Sequence, residues 1–113
     1  MIMQAQQAKI GVIQAYVRGN CRICEVAEKK LRLFLQKEGL EDQVEVEVLD
    51  VGLENGAAEL DFYEVTEIPA LLFLKDGKVV DRYEGGSPLY SQFNEGIQRL
   101  RGELAPKPSK EIC

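Results

Sequence analysis

The chain has 113 residues, 45% of them hydrophobic and 29% charged, with a net charge of −5. That length allows one domain with a modest core, the composition excludes a disordered chain, and the absence of a dense Lys/Arg cluster argues against a nucleic-acid face. There is no histidine, which removes Ser-His-Asp and Cys-His catalysis and His-ligated zinc together.

Residues 1–8 carry three glutamines and no basic cluster. They read as a short helical lead-in, not a signal peptide, and no apolar run reaches membrane-spanning length. The expected compartment is a reducing cytoplasm, where a C-x-x-C is more often catalytic or metal-binding than structural. The segment Lys9 to Val17 is β-branched and aromatic with only Gln14 interrupting it, which predicts a central strand buried on both faces.

Arg18-Gly19-Asn20 breaks that strand, and Cys21-Arg22-Ile23-Cys24 follows. Asn20 or Cys21 can cap a helix that runs from Cys24 to about Lys37, with Val26, Ala27, Leu31, Phe34 and Leu35 on or near one face and Gly39 as its stop. Positions i and i+3 share a helical face, so the two sulfurs can meet. The unpaired N–H groups and positive dipole end of a first turn favour a thiolate there.

Val44, Val46 and Val48 alternate with Glu45 and Glu47, predicting a half-exposed strand near an edge whose glutamates face water. A short helix from Asn55 or Gly56 through Tyr63 follows, with Ala57, Ala58, Leu60 and Phe62 as core candidates. Pro69 stands before the apolar run 70–74, at the first position of a strand, because proline cannot donate to a ladder. Asp76-Gly77 supplies a hairpin turn, and Val79 to Tyr83 returns. After Glu84-Gly85-Gly86, Ser87 and Pro88 open a last helix carrying Leu89, Phe93, Ile97, Leu100 and Leu104, weakened by Gly96. The domain is expected to span residues 1–104, with a mobile tail over 105–113. Tyr16, Phe34, Phe73 and Phe93 are expected in the core. The order strand-helix-strand-helix-strand-strand-helix predicts an α/β fold with a four-stranded mixed sheet and helices on both faces.

Three features together resemble the thioredoxin family over about residues 9–103: the C-x-x-C opening a helix after the first core strand, Tyr63-x-Val65-x-x-Ile68-Pro69-Ala70, and the 72–79 hairpin followed by Gly85-Gly86. The resemblance implies a minimal thioredoxin fold and a thiol–disulfide oxidoreductase. Cys21 would be the exposed nucleophile and Cys24 the resolving thiol. Pro69 would be cis, and the Ile68 backbone would pair with an extended substrate across a surface kept flat by Gly85 and Gly86. Arg22 would tune the thiol pKa. Protein disulfides would be the substrates, and thioredoxin reductase or a glutathione system the reductant, with no cofactor, metal, nucleic acid or membrane. The chain departs from the family in lacking Trp, in placing Arg22-Ile23 between the cysteines, and in having Ala15 where thioredoxins carry a buried Asp. Two other readings stand beside this one. One is a non-catalytic adaptor on the same fold. The other is a Cys-ligated metal or iron–sulfur protein, for which Cys21 and Cys24 give only half of a four-ligand site, to be completed by a dimer, Cys113 or glutathione.

Overall fold

A computed structural model describes residues 9–86 and 88–107. The chain forms β1 (Gly11–Val17), α1 (Arg22–Lys37), β2 (Val44–Asp50), α2 (Glu54–Phe62), β3 (Ala70–Lys75), β4 (Lys78–Glu84) and α3 (Tyr90–Leu100). The sheet order is β2-β1-β3-β4. β1 runs parallel to β2 and antiparallel to β3, and β3 and β4 form the hairpin. The mixed four-stranded sheet expected from the element order is present.

The central strands lack polar alternation because both of their faces are covered. Ile13, Ala15, Leu71 and Phe73 pack with Leu31, Phe34 and Leu35 of α1 and Phe93, Ile97 and Leu100 of α3. Tyr16, Ala70, Leu72 and Leu74 point the other way, toward Leu60 of α2. Tyr16, Phe34, Phe73 and Phe93 are all buried.

Several local expectations change. Val26 lies on the open side of α1, 42% exposed, because the buried stripe runs through Cys24, Ala27, Leu31, Phe34 and Leu35 instead. α2 does not bury the residues its sequence suggests. Ala57 and Ala58 are exposed, Phe62 is 76% exposed, and Gly56 is its buried residue. A Cβ on Gly56 would run into the Asp50 backbone, so the helix approaches the end of β2 backbone to backbone. Gly96 likewise faces the Phe73 ring with no room for a methyl group, so it is a packing residue as well as a weak helix former. The last helix starts at Tyr90 and not at Pro88. Leu89 is extended, and Gln92 Oε1 accepts its backbone N–H at 2.8 Å, so a side chain inside the helix does the capping. Leu89 is therefore exposed and Pro88 buried. The expected cap, Ser87, lies outside the described residues.

Two buried polar groups are fully occupied. Gln14 accepts from the Tyr16 hydroxyl at 2.7 Å, and its amide donates to Glu47 at 3.1 Å and Glu59 at 3.4 Å. Glu47 is thus half-buried and engaged rather than a solvated face residue, whereas Glu45 is exposed as expected. Burial first, and then the charges of Glu59 and Glu47, push the Tyr16 hydroxyl well above its usual pKa. On β4, the Asp81 carboxylate has no exposed surface. It accepts from Arg99 at 3.1 Å, Lys107 at 2.8 Å, the Tyr83 hydroxyl at 2.7 Å and the Arg82 backbone N–H at 2.8 Å. Lys107 also donates its backbone N–H to Val80 O at 2.9 Å and lies 4.1 Å from the centre of the Tyr83 ring. Residues 105–107 of the expected tail therefore lie along β4, and residues 108–113, with Cys113, are outside the described region. No helix among the described residues is long and apolar enough to cross a membrane.

Candidate functional site

The site begins where β1 ends. Asn20 takes a left-handed backbone conformation, φ 56°, which turns the chain out of the strand. Cys21 follows in extended conformation and is the N-cap of α1. Its Sγ accepts the Cys24 backbone N–H at 3.2 Å. The Cys21 sulfur thus takes the place that a Ser or Asp oxygen fills at other helix starts. Cys24 lies one turn on and is 2% exposed, and Cys21 is half-buried. Their Cα atoms are 5.2 Å apart and the two are disulfide-bonded. Arg22 and Ile23 between them are exposed, Ile23 at 56%.

Strand register brings the other expected residues to the same end of the sheet. Val17 pairs with Asp50, Tyr16 with Ala70, and Ala70 with Glu84. The exit of β1 toward the cysteines, Pro69 just before β3 and Gly85-Gly86 just after β4 therefore share one end of the sheet. The Ile68–Pro69 peptide is cis, and Pro69 is buried with Ile68 half-buried beside it. Pro69 O accepts the Gly85 N–H at 2.8 Å. Gly85 has φ 76°, so its backbone conformation favours glycine, while the carboxylate of exposed Glu67, which a Cβ there would meet, is free to swing aside.

Sequence reasoning missed what holds the segment before Pro69. Residues 82 and 84 alternate onto one face of β4 and reach back to it. Glu84 Oε1 accepts the Thr66 N–H at 2.9 Å, the Thr66 hydroxyl at 2.9 Å and the Glu67 N–H at 3.2 Å. Arg82 bonds Glu84 Oε2 at 2.9 Å and donates to Tyr63 O at 2.9 Å and Glu64 O at 3.5 Å. The only signal in the sequence is Arg82 and Glu84 two apart on a strand, which any solvated edge also shows. Ala15, at the family's Asp position, is 1% exposed and packed in the α1/α3 core. Among the described residues no group of three or more Cys, Asp or Glu side chains is placed to hold a metal.

A four-stranded mixed sheet flanked by helices, with a Cys pair at the first turn of α1 and a cis-proline at the same end of the sheet, is a thioredoxin-like fold. Solved structures agree. The chain is similar to thioredoxin 1 of the thermophilic eubacterium Thermosipho africanus, with a TM-score of 0.64 at 16% identity over 81% of this chain and 96% of that one. It is similar to the thioredoxin of Fasciola hepatica, with a TM-score of 0.61 at 27% identity over 79% of each chain. It also matches mitochondrial thioredoxin 3 of Saccharomyces cerevisiae in its oxidized form, with a TM-score of 0.63 at 19% identity over 80% of this chain and 78% of that one. No family model matches the chain, and no curated protein matches its sequence. The likeness is one of fold, and together with the Cys21–Cys24 pair it supports a thioredoxin-like redox function.

Proposed function

We propose that the chain is a small dithiol–disulfide oxidoreductase acting on protein disulfides in a reducing compartment. The observation that carries this reading is the Cys21–Cys24 disulfide at the start of α1, with Cys21 Sγ receiving a backbone N–H. In the reduced protein the same N–H and the helix dipole favour negative charge on Cys21, and Arg22 adds a neighbouring positive charge. The Cys21 thiolate attacks a substrate disulfide, forming a mixed disulfide and releasing one substrate thiolate. Cys24 then attacks Cys21 Sγ, closes the intramolecular disulfide and releases the second substrate thiol. Two electrons pass to the substrate, and the Cys24 proton leaves with the released thiol or to water. A dithiol, supplied by a reductase or a glutathione system, resets the pair. The backbone at Ile68–Pro69 would hold the substrate strand in extended pairing, and Gly85-Gly86 would keep its path clear.

The buried Ala15 favours the adaptor alternative, because no carboxylate stands at that position to take the Cys24 proton. One experiment separates the two readings. The Cys24→Ser protein, with Cys113 replaced, is expected to retain protein partners as mixed disulfides released by dithiothreitol. Cys21→Ser is expected to retain none and to lose dithiol-dependent insulin reduction. A Cys21→Ser protein as active as the wild type would refute the redox reading.

A further inference from the structure

We propose that Arg82 and Glu84 are positioning residues of this site, a latch that fixes the backbone of residues 63–67 and, through it, the docking strand at Ile68–Pro69. The inference rests on the redox reading above for what docks there. Its structural basis is independent of the cysteines.

The segment that links α2 to Pro69 has little regular structure to hold it. It leaves α2 at Tyr63, passes through Glu64 in a left-handed conformation, φ 55°, and buries Val65 in the core, with Tyr63 and Ile68 packed partly against the same cluster. Backbone bonds to the end of α2 hold it as far as Val65, whose N–H reaches Leu60 O at 2.9 Å, and beyond that point the Thr66 and Glu67 amides are met by a side chain. Glu84 and Arg82 make those bonds from the outer strand of the sheet. One carboxylate oxygen gathers three donors from two consecutive residues, and the guanidinium caps two carbonyls and the other carboxylate oxygen. The pair is largely screened from water, with the Arg82 and Glu84 side chains 20% and 12% exposed. Such charge-assisted bonds are stronger than neutral ones and hold direction as well as distance. β4 is itself tied to Pro69 by the Gly85 N–H, so the segment is gripped on both sides of Ile68. A substrate strand added at Ile68 reads the position of one peptide group. Holding that group before the substrate arrives lowers the ordering cost of docking. The sulfurs belong to α1, so the latch acts on substrate capture and not on thiol reactivity.

The test compares the wild type with Glu84→Ala and Glu84→Gln, each carrying a replaced Cys113. Insulin serves as protein disulfide and dithiodipyridine as a small disulfide with no strand to dock. Glu84→Ala is expected to raise KM for insulin about tenfold with kcat nearly unchanged, short of the roughly hundredfold loss that a 1 Å misplacement can bring. Its rate with dithiodipyridine and the potential of the Cys21–Cys24 pair should stay at the wild-type values. Glu84→Gln keeps an oxygen for the Thr66 and Glu67 donors and should recover most of the insulin KM. The Thr66 and Glu67 amide hydrogens should exchange slowly in the wild type and fast in Glu84→Ala. An unchanged insulin KM, or parallel losses toward insulin and dithiodipyridine, overturns the latch. A wild type that leaves insulin untouched overturns the redox reading instead. In that case the amide exchange still decides the latch, with fast exchange in the wild type counting against it.

Discussion

Replacing Asp81 by Asn tests the densest polar contact of the molecule with almost no change in shape. The carboxylate has no exposed surface and faces two cations, Arg99 and Lys107, with a phenol and a backbone N–H completing its shell. An amide in its place offers one acceptor where there were two, and turns an NH2 group toward a cation. Each hydrogen bond to a charged group contributes about 1.5–3 kcal/mol. Arg99 is 16% and Lys107 36% exposed, so both recover some hydration once the negative charge is gone. This places each loss at the low end, and the sum is about 3 kcal/mol. That is the bottom of the penalty for stranding a buried charge, about 3–5 kcal/mol, because neither cation is sealed in. For a domain of this size, roughly 4 °C of melting temperature accompanies each kcal/mol, so Asp81→Asn should melt about 12 °C below the wild type by far-UV circular dichroism. Most of the deficit should persist in high salt, because the carboxylate is out of reach of screening ions. A melting point within about 3 °C of the wild type would show that the cations contribute little net stability, and the reasoning would fail.

Two further outcomes follow from the core. Burial, together with nearby negative charge and the Asp81 hydrogen bond to Tyr83, raises the hydroxyls of Tyr16 and Tyr83 above their usual pKa of 10.0. The folded protein therefore holds these protons more tightly than the unfolded chain. The stability they confer is complete below pH 10 and is lost as pH rises beyond it, by up to about 1.4 kcal/mol per pH unit for each tyrosine. Urea midpoints between about pH 9 and 11.5 should show this fall, and it should be shallower in Tyr16→Phe. Gly96→Ala forces a methyl group against the buried Phe73 ring. An overpacking cost of up to about 3 kcal/mol, less about 1 kcal/mol of helix propensity gained, predicts a net loss of about 2 kcal/mol by urea unfolding. A stabilised variant would contradict the observed packing.

What could be read from the sequence was local chemistry with one outcome. Asp76-Gly77 supplies a turn, Pro69 suits the start of a strand, and the amphipathic pattern after Cys24 marks a helix that the dithiol opens. Faces were legible where a long helix repeats its stripe, as α1 does through Leu31, Phe34 and Leu35. They were not legible in α2, where Ala57, Ala58, Leu60 and Phe62 are apolar in several directions and the contact that matters is made by Gly56, which has no side chain to signal it. Val26 shows the same limit, because an apolar residue beside a stripe need not belong to it. The onset of α3 was misplaced because Ser87-Pro88 has the composition of a cap, while Gln92, three residues inside the helix boundary, performs it. The latch and the Asp81 cluster join residues about 18 apart across a sheet edge, and no periodicity encodes such a pairing. Gln14 likewise looked like an interruption of β1 because its partners, Glu47 and Glu59, come from two other elements.

The strap formed by residues 105–107 gives the sheet a guarded border. β4 is an outer strand, and an outer strand offers unpaired backbone groups to any passing chain. The Lys107 N–H occupies Val80 O, and its ammonium, held over Tyr83 and against Asp81, lays a charged side chain along that margin. On the far side, β2 presents exposed Glu45. A lysine at one rim and a glutamate at the other are the charges that keep neighbouring sheets from zipping together. Trimming residues 105–107 would therefore leave the cysteine end of the sheet untouched, yet it would open β4 to self-association and strip Asp81 of its Lys107 ion pair, so this short strap serves colloidal behaviour as well as folding.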